Sequence, residues 1–251
     1  MPHPVATLTL RLKPKRRWLQ FGTRSMLVLT TACGILLGWR VNEVRHQREV
    51  LAVVESLGGT VCFDYQCDLD EDDLRVVDPG REPPRSSRLR SMVGDEYFRH
   101  IVCIFVRGTD VTDKDLERFT GLSGLLSLDL PESKVTDAGL ASLARMRQLQ
   151  MLNLYDTQVT NAGLVHLEGL QRLHALCLIK TKINSEGLVH MRGLTGLQTL
   201  RLCNTQVTDA GLAHLQGLTG LRELDLYGTQ VTAAGVAELR KALRNCHITG
   251  P

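Results

Sequence analysis

The sequence predicts an α/β solenoid: stacked coils with a parallel sheet along one side and short helices along the other. Three observations carry that prediction. From Ile101 to the C-terminus one 24-residue phrase occurs six times, and its pivot Val111, Val135, Val159, Ile183, Val207, Val231 recurs without insertion or deletion. Each copy opens on an L-x-x-L-x-L core, such as Leu149, Leu152 and Leu154, whose final alternation suits a short strand. Aromatic residues are only 4% of a chain that is 43% hydrophobic, so the interior is built of stacked aliphatic side chains.

Each column of the repeat has a structural reading. The three leucines of a copy point inward from the strand. Thr157 and its equivalents Thr109, Ser133, Thr181, Thr205 and Thr229 stand where the chain leaves the strand, and a ladder of hydroxyls there is expected to bond the backbone of the neighbouring coil. The Val-Thr-Asp step turns the chain, with Thr or Asp at 136–137 and 208–209 capping a short helix. Leu140 and Leu143 put one helical face inward. Gly139, Gly163, Gly187, Gly211 and Gly235 recur inside the first helical turn, where glycine costs about 1 kcal/mol relative to alanine. Their repetition predicts close backbone packing between coils. The first copy departs with Asp115 in the glycine column and Phe119 in a leucine column. The last carries Ala233 in the Asp column, and Ile248 falls in a strand-leucine column, so a partial strand closes the edge. Both ends read as caps.

With a period of 24 and the wording Val-Thr followed by Asp137-Ala-Gly-Leu140 and Asp209-Ala-Gly-Leu212, the chain resembles the leucine-rich repeat family, in its cysteine-containing and related bacterial branches. The resemblance covers residues 101–251 and, more loosely, the N-terminal part, where a basic tail, a short apolar segment and Leu57-Gly-Gly59 are similar to bacterial membrane-anchored repeat proteins. It implies a binding role. Some eukaryotic relatives are substrate receptors of ubiquitin ligases, but no F-box-like segment precedes the repeats here.

Of 30 basic and 27 acidic side chains, nine and two lie in residues 1–50, leaving 21 and 25 in the remainder. The net charge of +3 therefore belongs to the N-terminal tail, and a repeat region that is mildly acidic argues against nucleic acid as a partner. An uncharged run from Ser25 to Trp39 is bounded by Arg24 and Arg40. Alone it is short for a bilayer about 30 Å thick, but snorkelling arginines and the preceding Trp18, Leu19 and Phe21 extend it to a span from Leu19 to Val41. Six basic residues precede the uncharged run and three follow it, which places the N-terminus in the cytoplasm and the repeats outside. The weighed alternatives are a cleaved signal at Thr31-Ala32-Cys33-Gly34, a lipidated Cys33 and a soluble helix; the first two lie mid-run. The resulting organisation is a basic tail at 1–24, a transmembrane anchor at 25–41, an N-terminal cap and linker at 42–100, and the repeat domain at 101–251.

Within 42–100, Val44, Val50, Leu51, Val54 and Leu57 form a helical stripe that stops at Gly58-Gly59 and continues the anchor helix. Val61, Phe63 and Tyr65 alternate as a strand over 60–66. Helix and strand together are expected to cover the first coil. Asp68, Asp70, Glu71, Asp72 and Asp73 lack the glycine and bidentate glutamate of a calcium loop and read as a solvated turn. Residues 75–90 read as an irregular linker.

Nothing in the sequence points to catalysis, a cofactor or a metal. Seven cysteines show no metal-ligand spacing; Cys177 and Cys203 are out of step on neighbouring strands, and only Cys62–Cys67 stays open as a disulfide. His166, His190 and His214 share a column, but it faces solvent on the helical side with a spacing too wide for one ion. The candidate site is instead the concave sheet face, whose three columns run from Cys103 to Glu223, from Phe105 to Asp225 and from Arg107 to Tyr227. Phe105, Met151, Tyr155, Ile179 and Tyr227 are expected to be exposed there among few charges. The site set is Phe105, Arg107, Asp129, Asn153, Tyr155, Ile179, Arg201, Asp225 and Tyr227. The expected function is a non-enzymatic, membrane-anchored module that binds a protein or peptide on this face. The alternative is a structural protein of the envelope whose repeats self-associate.

Overall fold

The computed structural model describes residues 23–70, 73–76, 97, 99–108 and 110–250. Residues 1–22 of the expected tail and most of the expected linker lie outside these. The chain divides into two units, Met1–Asn42 and Glu43–Pro251. The division falls within one helix, α1, at Thr23–Ser56. In the first unit, Thr30 to Trp39 are exposed without a break, with Ile35, Leu36 and Leu37 each more than 60% accessible. No helix among the described residues is long and apolar enough to cross a membrane.

The second unit holds the sheet. In chain order its strands are β1 (Thr60–Phe63), β2 (Cys67–Asp70), β3 (Asp73–Val76), β4 (Ile101–Phe105), β5 (Ser127–Asp129), β6 (Met151–Asn153), β7 (Ala175–Cys177), β8 (Thr199–Arg201), β9 (Glu223–Asp225) and β10 (His247–Thr249). The main sheet runs β1-β4-β5-β6-β7-β8-β9-β10. Strands β4 to β10 are parallel and pair at a constant offset of one repeat, so Leu128, Leu152, Leu176, Leu200 and Leu224 stand side by side. β10 continues the series with Ile248 beside Leu224. Every one of these side chains is buried, and they join the helical leucines in one continuous core.

The return legs are short helices: α2 (Asp113–Phe119), α3 (Asp137–Leu143), α4 (Asn161–Leu164), α5 (Asp209–Leu212) and α6 (Ala233–Ala242). The fourth coil uses a 3-10 turn, Gly187–Met191. Between strand and helix, the residue before each hydroxyl column takes a left-handed conformation: Glu132, Asp156, Lys180, Asn204 and Gly228. This turns its N–H toward the following coil, as where Asp156 N donates to Ile179 O at 2.9 Å. The hydroxyls themselves do not make that bond. Thr157, Thr181, Thr205 and Thr229 each donate to the carbonyl three residues back in their own coil, at 2.6 to 2.9 Å. The expectation of a cross-coil hydroxyl ladder is thus corrected: the left-handed backbone reaches across, and the hydroxyl satisfies the turn's leftover carbonyl.

The cross-coil side-chain bond lies on the helical side. Asp137 Oδ1 accepts from Thr160 N at 2.8 Å and Asp137 Oδ2 from Thr160 Oγ1 at 2.6 Å. Asp113 holds Thr136 and Asp209 holds Thr232 in the same two-point grip. Asn161 on Asn184 and Ser185 on Thr208 are the neutral versions. These threonines begin the helices, and Thr136 and Thr160 also accept from the N–H two residues on. One carboxylate therefore fixes the start of the next coil's helix.

That grip explains the glycines. A Cβ on Gly139, Gly163, Gly187, Gly211 or Gly235 would come inside 3.0 Å of the Asp, Asn or Ser oxygen of the preceding coil. Close packing was expected there, and the intruder is a side chain rather than backbone. Among the described residues no acceptor of a preceding coil meets the first coil. Its glycine position is Asp115, whose carboxylate turns back to accept from Thr112 N and Thr112 Oγ1, both at 2.9 Å.

The N-terminal side of this unit is closed by residues 43–63. Val50 and Val54 of α1 join the repeat core, and β1 pairs antiparallel with β4. Gly58, at φ 68°, ends α1, with Gly59 N bonded to Val54 O and Gly58 N to Glu55 O in a Schellman arrangement. The expected strand over 60–66 stops at Phe63, where the register slips, and Asp64–Gln66 forms a 3-10 turn. The segment read as an acidic turn and the start of the linker instead forms the β2–β3 hairpin. At the other end α6 is the longest of the repeat helices, and Val236, Leu239 and Leu243 cover the last coil.

The carboxylate and the glycine are coupled. Asp137→Ala should cost about 1.5–3 kcal/mol through lost charge-assisted bonds, and Gly163→Ala about 1–3 kcal/mol through overpacking. The double variant should be more stable than the sum of the two losses by at least about 0.5 kcal/mol, because alanine fits once the carboxylate is gone. Urea unfolding of the four proteins measures this; strict additivity would contradict it.

Candidate functional site

A parallel ladder only three residues deep between neighbouring coils leaves two paired side chains per strand on the concave side, at its first and third positions. They surround a hollow of about 290 Å³ that runs from Phe105 to Glu223 across β4 to β9. Toward its N-terminal end the lining combines Phe105, Met151, Ala175 and Cys177, all half-buried, with the polar Ser127, Asp129 and Asn153. Toward its C-terminal end it is Thr199, Arg201 and Glu223. A second hollow of about 190 Å³ adjoins it, lined by Ile179, Asp225, His247 and Thr249 and sharing Arg201 and Glu223.

Of the nine residues expected from the sequence, the first hollow gathers Phe105, Asp129, Asn153 and Arg201, and the second Ile179, Arg201 and Asp225. Arg107, Tyr155 and Tyr227 line neither. They belong to the column beyond the strand end, from which Ile179 alone lines either hollow. Arg107 is taken up by Glu132, 2.8 Å from its guanidinium. Tyr155 is roofed by Lys180, whose Nζ donates to the phenol oxygen at 2.9 Å and lies 5.2 Å from the ring centre. Only Tyr227, at 71% accessible, is as exposed as expected; Phe105, Met151, Tyr155 and Ile179 are half-buried, because strands about 4.8 Å apart let neighbouring side chains shield one another. Met151, Ala175, Thr199 and Glu223 belong to the site and were outside the expected set. Their signal was present in the alternation of the first concave column.

The electrostatics differ between the two ends. Asp129 receives Asn153 Nδ2 at 2.8 Å, yet burial holds its carboxyl above the usual carboxylate range, with Asn153 and Arg107 only partly offsetting that. At Asp225 burial also pushes upward. Hydrogen bonds from Cys203, Tyr227 N–H and Thr249, together with Arg201, outweigh it and hold the carboxyl below its ordinary value. Burial raises the Cys177 thiol, so it is a neutral, apolar part of the lining.

On the helical side the histidine column makes hydrogen bonds rather than a metal set. His190 Nδ1 lies 2.6 Å from Glu168, and His214 Nδ1 lies 2.7 Å from Arg192. Among the described residues no group of three His, Cys, Asp or Glu side chains could hold a metal ion.

Coils of one constant length, a strand leucine at the same register in each and a helix or 3-10 turn on every return leg decide the architecture. The chain has the leucine-rich-repeat fold. No family model and no curated protein matches it. Solved structures similar to it include an internalin (inlF) of Listeria monocytogenes, 24% identical over 56% of this chain and 37% of that one, with a TM-score of 0.46. Internalin C2 (inlC2) of the same organism is 23% identical over 62% of this chain and 82% of that one, with a TM-score of 0.45. A leucine-rich-repeat protein of Leptospira interrogans is 23% identical over 52% and 38%, with a TM-score of 0.39. Likeness at this level says nothing of partner or activity. What the leucine-rich-repeat face can do follows from its own side chains: it offers a shaped hollow that combines apolar, polar and charged groups.

Because burial raises Asp129, its folded pKa exceeds the unfolded value of about 3.9. The folded state then binds that proton more tightly, and the associated stability, present at low pH, is lost as pH rises through the folded pKa. Asp129→Asn should therefore melt at a higher temperature than the parent at neutral pH, with the gap closing below about pH 4. A parent that melts higher at neutral pH would contradict it.

Proposed function

We propose that this leucine-rich-repeat chain is a protein-interaction module that takes a protein or peptide segment along the concave face. The observation that carries the reading is the hollow itself. It joins half-buried apolar side chains at Phe105, Met151 and Ala175 to charged ones at Arg201 and Glu223, on a scaffold held rigid from coil to coil. Extended repeat surfaces bind in this way, with a few well-packed anchors carrying most of the affinity.

The module is tethered by the N-terminal helix, with the apolar run of 25–41 in the bilayer, the N-terminus cytoplasmic and the repeats outside. Support comes from the basic residues concentrated before the run and from Ile35, Leu36, Leu37 and Trp39, which have no apolar cover among the described residues. Release of the full chain from membranes by alkaline carbonate would sink the tether.

The binding reading is tested with the full chain in detergent or lipid discs, using a partner recovered from the source cell and then purified. Arg201→Glu and Ala175→Arg, both changes on the face and outside the core, should each weaken binding at least about 30-fold, the scale of an interface hot spot. Tyr227→Ala should change it less. Unaltered affinity in both groove variants would move the contact elsewhere, and assembly of the purified chain without any partner would favour self-association.

A further inference from the structure

A second, smaller core sits beside the first coil, and it is built around three thiols: Cys62 of β1, Cys67 at the start of β2 and Cys103 of β4, packed with Val102. All three are buried, Cys103 completely. Cys62 and Cys103 are direct partners across the antiparallel pair β1–β4. Cys67 arrives from the hairpin, and its sulfur lies 3.8 Å from that of Cys103. No disulfide joins any of the three in this structure.

Three cysteines of seven meeting in one small cluster is not what an aliphatic core requires. In the other coils the position of Cys103 is taken by Ser127, Met151, Ala175, Thr199 and Glu223. Nor does the cluster serve as a metal centre by its geometry. Its location is informative. The β2–β3 hairpin is a two-stranded sheet separate from the main sheet, and two-stranded hairpins are marginal by themselves. Cys67 is where that hairpin leaves the first coil.

We propose that Cys67 and Cys103 form a disulfide that clamps the β2–β3 hairpin to the first strand of the solenoid, with Cys62 left as a thiol. The reaction is exchange with a small-molecule disulfide of the glutathione class. Each cysteine gives up its proton, one sulfur–sulfur bond forms between Cys67 and Cys103, and the two electrons reduce the glutathione disulfide to two thiols. Burial holds the Cys103 thiol well above its ordinary pKa, so exchange proceeds while the hairpin is open or during folding, and the finished bond is shielded from reductant. The clamp also fixes one end of the concave hollow, because Phe105 and Met151 pack against this cluster. The inference rests on the thiol geometry alone and stands whether or not the concave face binds a partner.

The full chain is equilibrated in a buffer of oxidised glutathione, alkylated under denaturing conditions, digested without reduction and mapped by mass spectrometry. The expected result is a peptide pair joined through Cys67 and Cys103, with Cys62 alkylated. The oxidised protein should melt at a higher temperature than the dithiothreitol-treated one. Cys67→Ala should remove that difference and Cys62→Ala retain it. Alkylation of all three cysteines, or a predominant bond from Cys62 to either neighbour, would overturn the proposal. The wild-type map decides the matter even if a variant fails to fold.

Discussion

Each coil of this protein after the first is placed by a side chain of the coil before it. The carboxylate of Asp113, Asp137 or Asp209 accepts both the N–H and the hydroxyl of the threonine that opens the next helix, with Asn161 and Ser185 making weaker forms of the same contact. Stacked leucines supply the driving force for coil-on-coil association but little register, since apolar contact is non-directional. The bridge supplies direction. It is joined on the sheet side by the parallel ladder, and between them by the N–H of the left-handed residue at each turn. The Asp209 carboxyl is held below its ordinary value by the Thr232 hydroxyl and N–H, as expected for an acceptor stabilised in its charged form.

Rigidity in the scaffold is what gives the concave face meaning. A half-buried Met151 or Phe105 keeps one position only if the strands beneath it are fixed, and the ordering cost of the receptor is then met in folding rather than in binding. The same logic reaches the N-terminal end. There the repeat gives way to an antiparallel strand, and residues 43–57 together with the thiol cluster take over the task of holding the first coil.

What could be read from the chain divides along physical lines. The solenoid, its strand register and its inward leucines were legible because a fixed period leaves their columns aligned. The glycine and aspartate columns were equally visible, but their dependence was not. It emerges only when helix geometry brings the oxygen of residue 137 against the backbone of residue 163. The departure at Asp115 was a clue, since the one coil without a preceding acceptor is also the one without the glycine. The direction of the Thr157 hydroxyl depends on a left-handed turn at a non-glycine residue, which sequence does not announce. Tyr155 and Tyr227 drew attention as aromatic anchors, yet neither lines the hollows, although Ile179 of the same column lines the second. The meeting of Cys67 with Cys103 crosses 36 positions without any period to reveal it.

The inter-coil bridge is tested most directly by native-state hydrogen exchange at the amide protons of Thr136, Thr160, Thr208 and Thr232. Each lies at a turn outside the strands, where an unbridged amide would exchange through local opening. The account predicts protection close to that of the strand amides of the same coil, with selective loss at Thr160 in Asp137→Ala. Rapid exchange of these four amides in the parent protein would contradict it.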